Sequence, residues 1–423
     1  PAPREESNQD TLCFQDQALS RRVSGTLQGK TCGPWVHPKC RSGLQFETFS
    51  PVVGYDTLRC IISVAAYRGW SIDALDFTQA YLYADLQEDI WLELPDGGTP
   101  LYFKKSEDGR IAILTTYVDD TFTTGDFSEE IQRIRASLLE KYKGRDLGTP
   151  DKLIGVGITV GKDGITLDQQ ICTLKPLSWP GWMGSIEVRK TSTPLDLSVK
   201  QGHEEELDPI IYPYASILGK LMFLAGMTQP DLANNSVREL GRRAASPCMR
   251  HWRGLQHVLR YVAGTLDVCI HYDRGDKDMN EGDEELLVGY GDSDWGTDSQ
   301  TRRSVTGYLL LFNKSPITWR SKLQSAVTLS SSEAEWTAMA YGMRHYIFLQ
   351  GILGEIGILQ DQNPWFGDNR GAIQASRITS FNGRTTHVDM KLKCTREYVD
   401  QGLFHVEYVP TSKHLADILT KSL

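Results

Sequence analysis

The chain has 423 residues, 40% hydrophobic and 23% charged, an ordinary globular balance with room for two to four domains. No apolar run approaches the length of a membrane span and no secretory signal opens the chain, so a membrane partner is not expected. A net charge of −9 argues against a chain coated in basic residues for general nucleic-acid binding.

Residues 1–40 hold no steady hydrophobic period and are rich in Gln, Ser, Arg and Gly, so a divergent, poorly ordered segment is expected there. Pro1 in place of Met points to a piece of a longer precursor. Eight cysteines are scattered without a CxxC pair. The stretch CGPWVHPKC offers Cys32, His37 and Cys40 but no convincing fourth ligand and none of the usual zinc spacings. Reduced thiols in an intracellular protein are the default, without a choice between cytoplasm and nucleus.

Periodicity tightens after residue 40. YDTLRCIISVAAYRGW (55–70) has apolar residues at helical intervals, and SIDALDFTQAYL (71–82) follows as a strand carrying Asp76 near its end. DIWLELP is a second strand, and RIAILTTYVDDTFTTG a hairpin whose turn holds Asp119 and Asp120. That pair admits two readings: a solvated turn, since Asp is a common turn residue, or a holder of divalent cations that convert like-charge repulsion into attraction. Residues 128–142 form a helix with Ser128 as its cap. KLIGVGITVGKDGITLDQ is a hairpin turning at KDG, and the stretch starting YPYASILGK is mostly helix.

From Leu240 to Leu266 there is no acid, while Arg242, Arg243, Arg250, Arg253 and Arg260 all fall there. Trp252, Leu255, Val258, Leu259 and Val262 supply an apolar helical face. The arginine face either lies along a phosphate backbone or is the solvated side of a core helix. MNEGDEE (279–285) marks a domain boundary.

The last segment alternates clearly. LLVGYGDSD, SVTGYLLLF, PITWRS and SAVTLS (325–330) are strands, and a long helix starts at Ser331 or Ser332. PWFGDN and LFHVEYVP are further strands, and SKHLADILTKSL is a terminal helix. This order predicts an α/β domain with a mixed sheet and helices on its faces. Four acids stand where strand ends and a helix face converge: Asp292, Glu335, Asp368 and Asp417. Four clustered carboxylates need cations, and two Mg²⁺ would neutralise them.

GYGDSDWGTDSQTRRSVTGYLLLF, SSSEAEWTAMA, GDNRGAIQAS, RTTHVD and VEYVPTSKHLADILTKSL resemble the ribonuclease H region of copia-type retrotransposon Pol polyproteins. The resemblance implies a ribonuclease H fold over 286–423 that cleaves RNA in RNA–DNA hybrids, with metal ligands at Asp292, Glu335, Asp368 and Asp417. Glu333 points away from Glu335 on the helix, Asp294 is the residue most easily confused with Asp292, and His387 and Asp389 match a motif with a structural role. Upstream, ETFSPVV, RGWSIDALDFTQAYLYADLQEDIWLELPDG, ILTTYVDDTFTTGD, STPLD, YASILGKLMFLAGMTQPDLA and HVLRYVAGT resemble the reverse transcriptase of the same family. That implies Asp76, Asp119 and Asp120 as catalytic metal ligands, with Tyr81 beside the nucleotide sugar. The implied cofactor is Mg²⁺, two per site, with Mn²⁺ as the alternative. The implied partners are RNA template, DNA primer, RNA–DNA hybrid and dNTPs, with other Gag and Pol products in a virus-like particle.

The expected architecture is an α+β polymerase palm remnant (41–125), a thumb- or connection-like helical region (126–285) and the ribonuclease H-like α/β domain (286–423). The chain departs from the family pattern in two places. Asp76 and Asp119 are 43 residues apart (119 − 76), where the family carries a longer insert that grips template and nucleotide. The basic fingers segment expected before ETFSPVV is replaced by GKTCGPWVHPKCRSG. Three readings follow: a reverse transcriptase–ribonuclease H piece with a weakened polymerase, a nuclease whose polymerase half is dead, or a remnant that only binds nucleic acid.

Overall fold

The computed structural model describes residues 54–77, 101–117, 120–170, 191, 193, 206–275, 286–298, 300–360, 362–377 and 389–421. The expectations for residues 1–40, the DIWLELP strand, Cys32, His37, Cys40, Tyr81, Asp119 and His387 lie outside them. The chain is α/β, with helices and strands throughout. Among the described residues no helix is long and apolar enough to cross a membrane.

Contacts divide the chain into two units: residues 1–54 with 70–150, and residues 55–69 with 151–423. These divisions differ from the boundaries expected at 125/126 and 285/286. The first unit reaches residue 150 because Ser128–Lys141 packs on its sheet and Gly144–Gly148 joins it. The second has no break at 285 because Tyr272 and Ser315 bond across it to the Pro316 and His271 carbonyls. Helix α1 (Tyr55–Arg68) packs in the second unit although its sequence neighbours belong to the first.

The first unit is built on β1 (Ser71–Phe77), β2 (Leu101–Lys105), β3 (Ile111–Tyr117), β4 (Asp120–Gly125), α2 (Ser128–Lys141) and β5 (Gly144–Gly148). Its sheet has the order β2-β3-β4-β1-β5. Ile131 and Ile134 of α2 pack against Ala112 and Leu114 of β3. Phe127, not Ser128, is the N-cap residue of α2, and it makes no side-chain cap bond. Asp126 instead accepts a hydrogen bond from the Ile111 amide at 2.6 Å, tying the helix start to β3.

The second unit begins with α1 and continues through β6 (Lys152–Leu153), β7 (Val156–Val160), β8 (Gly164–Asp168), α3 (Tyr214–Met227), α4 (Met249–Gly264) and β9 (Ile270–Asp273). Strands β6 to β9 form one sheet in chain order. The apolar stripe of α4 is buried as its periodicity predicts: Trp252, Leu255, Val258, Leu259 and Val262 pack on Leu218, Leu221 and Leu240. Then come β10 (Leu287–Asp294), β11 (Val305–Phe312), β12 (Ser315–Leu323), α5 (Ser331–Glu355), β13 (Pro364–Gly367), α6 (Arg370–Ser376), α7 (Asp389–Asp400) and β14 (His405–Tyr408). Their sheet is ordered β12-β11-β10-β13-β14, antiparallel up to β10 and parallel beyond it.

Two packing devices fix this unit. Arg59 of α1 is buried, donates to the Ile317 carbonyl at 2.7 Å and to the Gly226 carbonyl at 2.5 Å, and lies 3.9 Å from the centroid of the Trp319 ring. One side chain thereby joins α1, α3 and β12. Trp365 fills a socket of three glycines: a Cβ on Gly289, Gly291 or Gly342 would sit 2.4, 2.6 or 2.1 Å from its ring. These absences of side chain let α5 lie close to β10 and β13.

Two expected elements differ. SAVTLS is not a strand but an irregular approach to α5. Thr328 spends its hydrogen bonds on Trp295 Nε1 (3.1 Å, to its carbonyl) and the Ser304 hydroxyl (2.7 Å) rather than on a ladder. Ser330 caps α5 by accepting from the Glu333 amide. The terminal segment is not an α-helix but two 3-10 turns, Thr411–Lys413 and Leu415–Leu419. Side-chain bonds from Thr411 to Asp368 and from Thr420 to Asp292 pull it against the sheet, and tertiary contact overrides its helical period.

Candidate metal centre

Strands β10 and β13 run parallel, with Tyr290 opposite Phe366. Two residues further along each lie Asp292 and Asp368, so the pairing delivers both carboxylates to one sheet edge at the same level. In open α/β sheets this carboxyl-end edge is where ligands bind. After β14 the chain returns across that edge through the two 3-10 turns and brings in His414 and Asp417. Room for the return comes from Gly307, the β11 partner of Asp292: a Cβ there would meet Thr420 Cγ2 at 2.6 Å and Leu419 Cβ at 2.9 Å.

Ligand atoms of Asp292, Asp368, His414 and Asp417 all lie within 4.8 Å of one another. Asp292 is 1% exposed and accepts a short hydrogen bond from the Thr420 hydroxyl. Thr411 donates to Asp368 at 2.8 Å. Lys421 makes a close ion pair with Asp417 and reaches within 3.9 Å of Asp292, so an ammonium stands at the edge of the cluster. Neither ring nitrogen of His414 has a hydrogen-bond partner although its side chain is wholly buried, and Nδ1 stands 4.0 Å from Asp292 Oδ1.

Glu335, in the second turn of α5, is 4% exposed. It feels the charges of Asp292 and Asp368, and its Oε2 has no hydrogen-bond partner. It lies beside the four-residue cluster rather than in it. Burial, then repulsion from Asp292 and Asp368, pushes its carboxyl well above the ordinary range. Burial also raises Asp292, against the pull of Thr420, Lys421 and His414. Asp294, half-buried on the same strand face, is raised mainly by burial. For Lys421 burial works against the charge, but its bond to Asp417 and the nearby Asp292 outweigh it and hold the ammonium above its usual value. The carboxylates of Asp292, Asp368 and Asp417 with the unpartnered imidazole of His414 form a donor set compatible with a divalent cation, and the Lys421 ammonium supplies the countercharge beside it.

Sequence reasoning missed His414, Thr420, Lys421 and Gly307. The spacing of His414 and Asp417, three apart, was the available signal, because residues three apart share one side of a helical turn. Gly307 inside an otherwise apolar strand was another, since such a glycine marks close approach of a neighbouring segment.

The first unit places Asp76 of β1 opposite Asp120 of β4 on one side and Arg145 of β5 on the other. Arg145 donates to Asp76 Oδ2 from Nε at 3.0 Å and Nη2 at 2.8 Å. Among the expected arginines, Arg242 is engaged elsewhere: it pairs with Glu239 at 3.6 Å and with the buried Asp298 at 2.9 Å. Burial alone would raise Asp298, but bonds from Thr301, Arg242 and the Gln300 amide outweigh it and hold the carboxyl at about 2. Arg242 thus already has carboxylate partners, while the sequence left its face open between a phosphate backbone and solvent. Arg243 and Arg253 are exposed, and Arg250 and Arg260 half-buried.

No protein-family model matches the chain. It is similar to the Pol polyprotein of transposon Tnt 1-94 of Nicotiana tabacum, 29% identical over 90% of this chain and 32% of that protein. It is also 32% identical to a transposon Ty5-1 protein of Saccharomyces cerevisiae, over 57% of this chain and 75% of that one. The chain belongs to the copia-type retrotransposon Pol family. It spans about a third of the length of the Pol polyproteins it matches. Among solved structures, a ribonuclease H1 isolated from compost matches this Pol-family chain with a TM-score of 0.26 and 13% identity, over 32% of this chain and 94% of that one.

Proposed function

We propose that the second unit of this Pol-family chain hydrolyses the RNA strand of RNA–DNA hybrids at the edge formed by β10, β13 and the terminal turns. The observation that carries this reading is the convergence of Asp292, Asp368 and Asp417 within 4.8 Å, with buried Glu335 beside them. The three aspartates would hold a divalent cation, with the Glu335 carboxyl next to them. When bound, divalent ions supply an activated water and stabilise the leaving oxygen of a phosphodiester. The chain's own part is to fix the donors. Thr420 and Thr411 orient Asp292 and Asp368, and Asn234 donates to the Lys421 carbonyl at 3.1 Å, anchoring the terminal segment that carries Asp417. Lys421 holds the countercharge while no cation is there.

The first unit supports a weaker claim. Asp76 and Asp120 stand in register, which supports reading them as acids of a polymerase metal site. Yet only 43 residues separate Asp76 from Asp119 (119 − 76), fewer than in the family pattern the sequence resembles. We therefore read the polymerase half as impaired and the nuclease half as intact.

The test is cleavage of an end-labelled RNA–DNA hybrid with Mg²⁺ or Mn²⁺. The expected outcome is metal-dependent cutting of the RNA strand that Asp292→Asn or Asp368→Asn lowers by about a hundredfold or more. Equal cutting by the parent and both variants would overturn the assignment.

A further inference from the structure

We propose that His414 is a nitrogen ligand in this centre, and that the centre takes a first-row transition ion, of the Mn²⁺ class, in preference to Mg²⁺. The inference rests on the reading of the carboxylate cluster as a cation site.

A buried histidine normally uses one ring nitrogen to donate and the other to accept. His414 does neither, although its side chain has no exposed surface. Its Nδ1 is too far from Asp292 Oδ1, at 4.0 Å, for a hydrogen bond. The separation suits an ion between them, because two donors on opposite sides of an ion at about 2.1 Å each stand about 4.2 Å apart. The oxygens of Asp368 and Asp417 complete a set in which every donor is within 4.8 Å of the others. The Tyr290 ring, 6.0 Å from the imidazole centroid, packs beside it and limits its movement. The hydrogen bond of the Asp417 amide to the His414 carbonyl, at 3.2 Å, holds the two ligands in one turn.

The donor set then differs from an all-oxygen site. Mg²⁺ takes oxygen ligands and gives up its waters reluctantly. Imidazole favours first-row transition ions, and Mn²⁺ accepts carboxylates as well. Three carboxylates and one imidazole therefore shift preference away from Mg²⁺.

The experiment uses the full chain with Mn²⁺ as a paramagnetic probe. Pulsed electron paramagnetic resonance of the bound ion should show nitrogen coupling that changes to the ¹⁵N pattern when histidine is ¹⁵N-labelled. His414→Gln should lose that coupling and bind Mn²⁺ about tenfold more weakly or worse, with Mg²⁺ affinity, read by competition, changed much less. Mn²⁺ bound to the parent chain without histidine coupling, or coupling that survives His414→Gln, overturns the ligand assignment while leaving the carboxylate reading in place. Mn²⁺ that fails to bind, or that binds Asp292→Asn as tightly as the parent, overturns the cation site itself. Where His414→Gln does not fold, His414→Asn is the second variant, and histidine coupling that survives in it overturns the assignment equally.

Discussion

Glu335 is a carboxylate in a place that suits a neutral group: it is 4% exposed, one oxygen meets no donor, and Asp292 and Asp368 repel it. Burying an incompletely bonded charge opposes folding. Removing the charge while keeping the shape, Glu335→Gln, should therefore stabilise the metal-free protein by about 1–3 kcal/mol while abolishing hybrid cleavage. The sign follows from linkage. A carboxyl raised in the folded state penalises folding increasingly as pH climbs from its unfolded value, about 4.3, to its raised one, and the penalty is then constant. Urea midpoints in chelator should be nearly equal for parent and variant at acid pH and higher for the variant at alkaline pH. A lower midpoint for Glu335→Gln at alkaline pH would contradict the argument. Asp298 shows the opposite case. Held at about 2 by its hydrogen bonds, it favours folding above the ordinary carboxylate range, and that contribution is lost as pH falls toward 2.

At the level of elements, the site depends on a crossing. The terminal turns reach Asp292 only because β11 has no side chain at Gly307. Gly307→Val should push Thr420 and Leu419 outward, carry Asp417 from the cluster, and weaken divalent-cation binding by about tenfold or more although every carboxylate remains. Titration calorimetry on a variant of unchanged helix content checks this; parental affinity would show that the crossing has slack. Helix α4 allows a second prediction. Arg250, Arg253 and Arg260 recur at intervals of three and seven, on one stripe. Replacing them with Gln should weaken nucleic-acid binding across sequences and flatten its salt dependence, because each phosphate contact releases counterions; an unchanged slope would mark the stripe as solvated surface. Asp292, Asp368 and Asp417 were legible because strand ends and local acids announce themselves in sequence. The burial of α4 was legible because its period is local. The 3-10 form of the terminal segment, the irregular 325–330 stretch and His414 were not, because each is decided by partners far along the chain: Asp368 for Thr411, Trp295 for Thr328, Asp292 for the imidazole.

On the scale of the whole molecule, the two units have unequal equipment. The second has a donor set whose supports, Thr411, Thr420, Asn234 and Gly307, all come from within the unit. The first retains Asp76 in register with Asp120, but carboxylates alone do not make a polymerase. Catalysis also needs the primer end and the triphosphate held close to their reacting geometry, and that positioning can account for about 7–11 kcal/mol of a barrier. On the reading proposed above, the segments that would provide it are those in which the sequence departs from the pattern it resembles, between Asp76 and Asp119 and before ETFSPVV. Arg145, meanwhile, sits on Asp76 with an exposed guanidinium, an ion pair weak enough for a metal to displace, so the acid itself is not the obstacle. The chain should therefore extend a primer weakly or not at all with Mg²⁺ and dNTPs, and insertion of the family's missing segment should restore synthesis. Robust extension by the chain as it stands, abolished by Asp119→Asn, would show that the acids suffice and that the absent segments were never needed to hold the substrates.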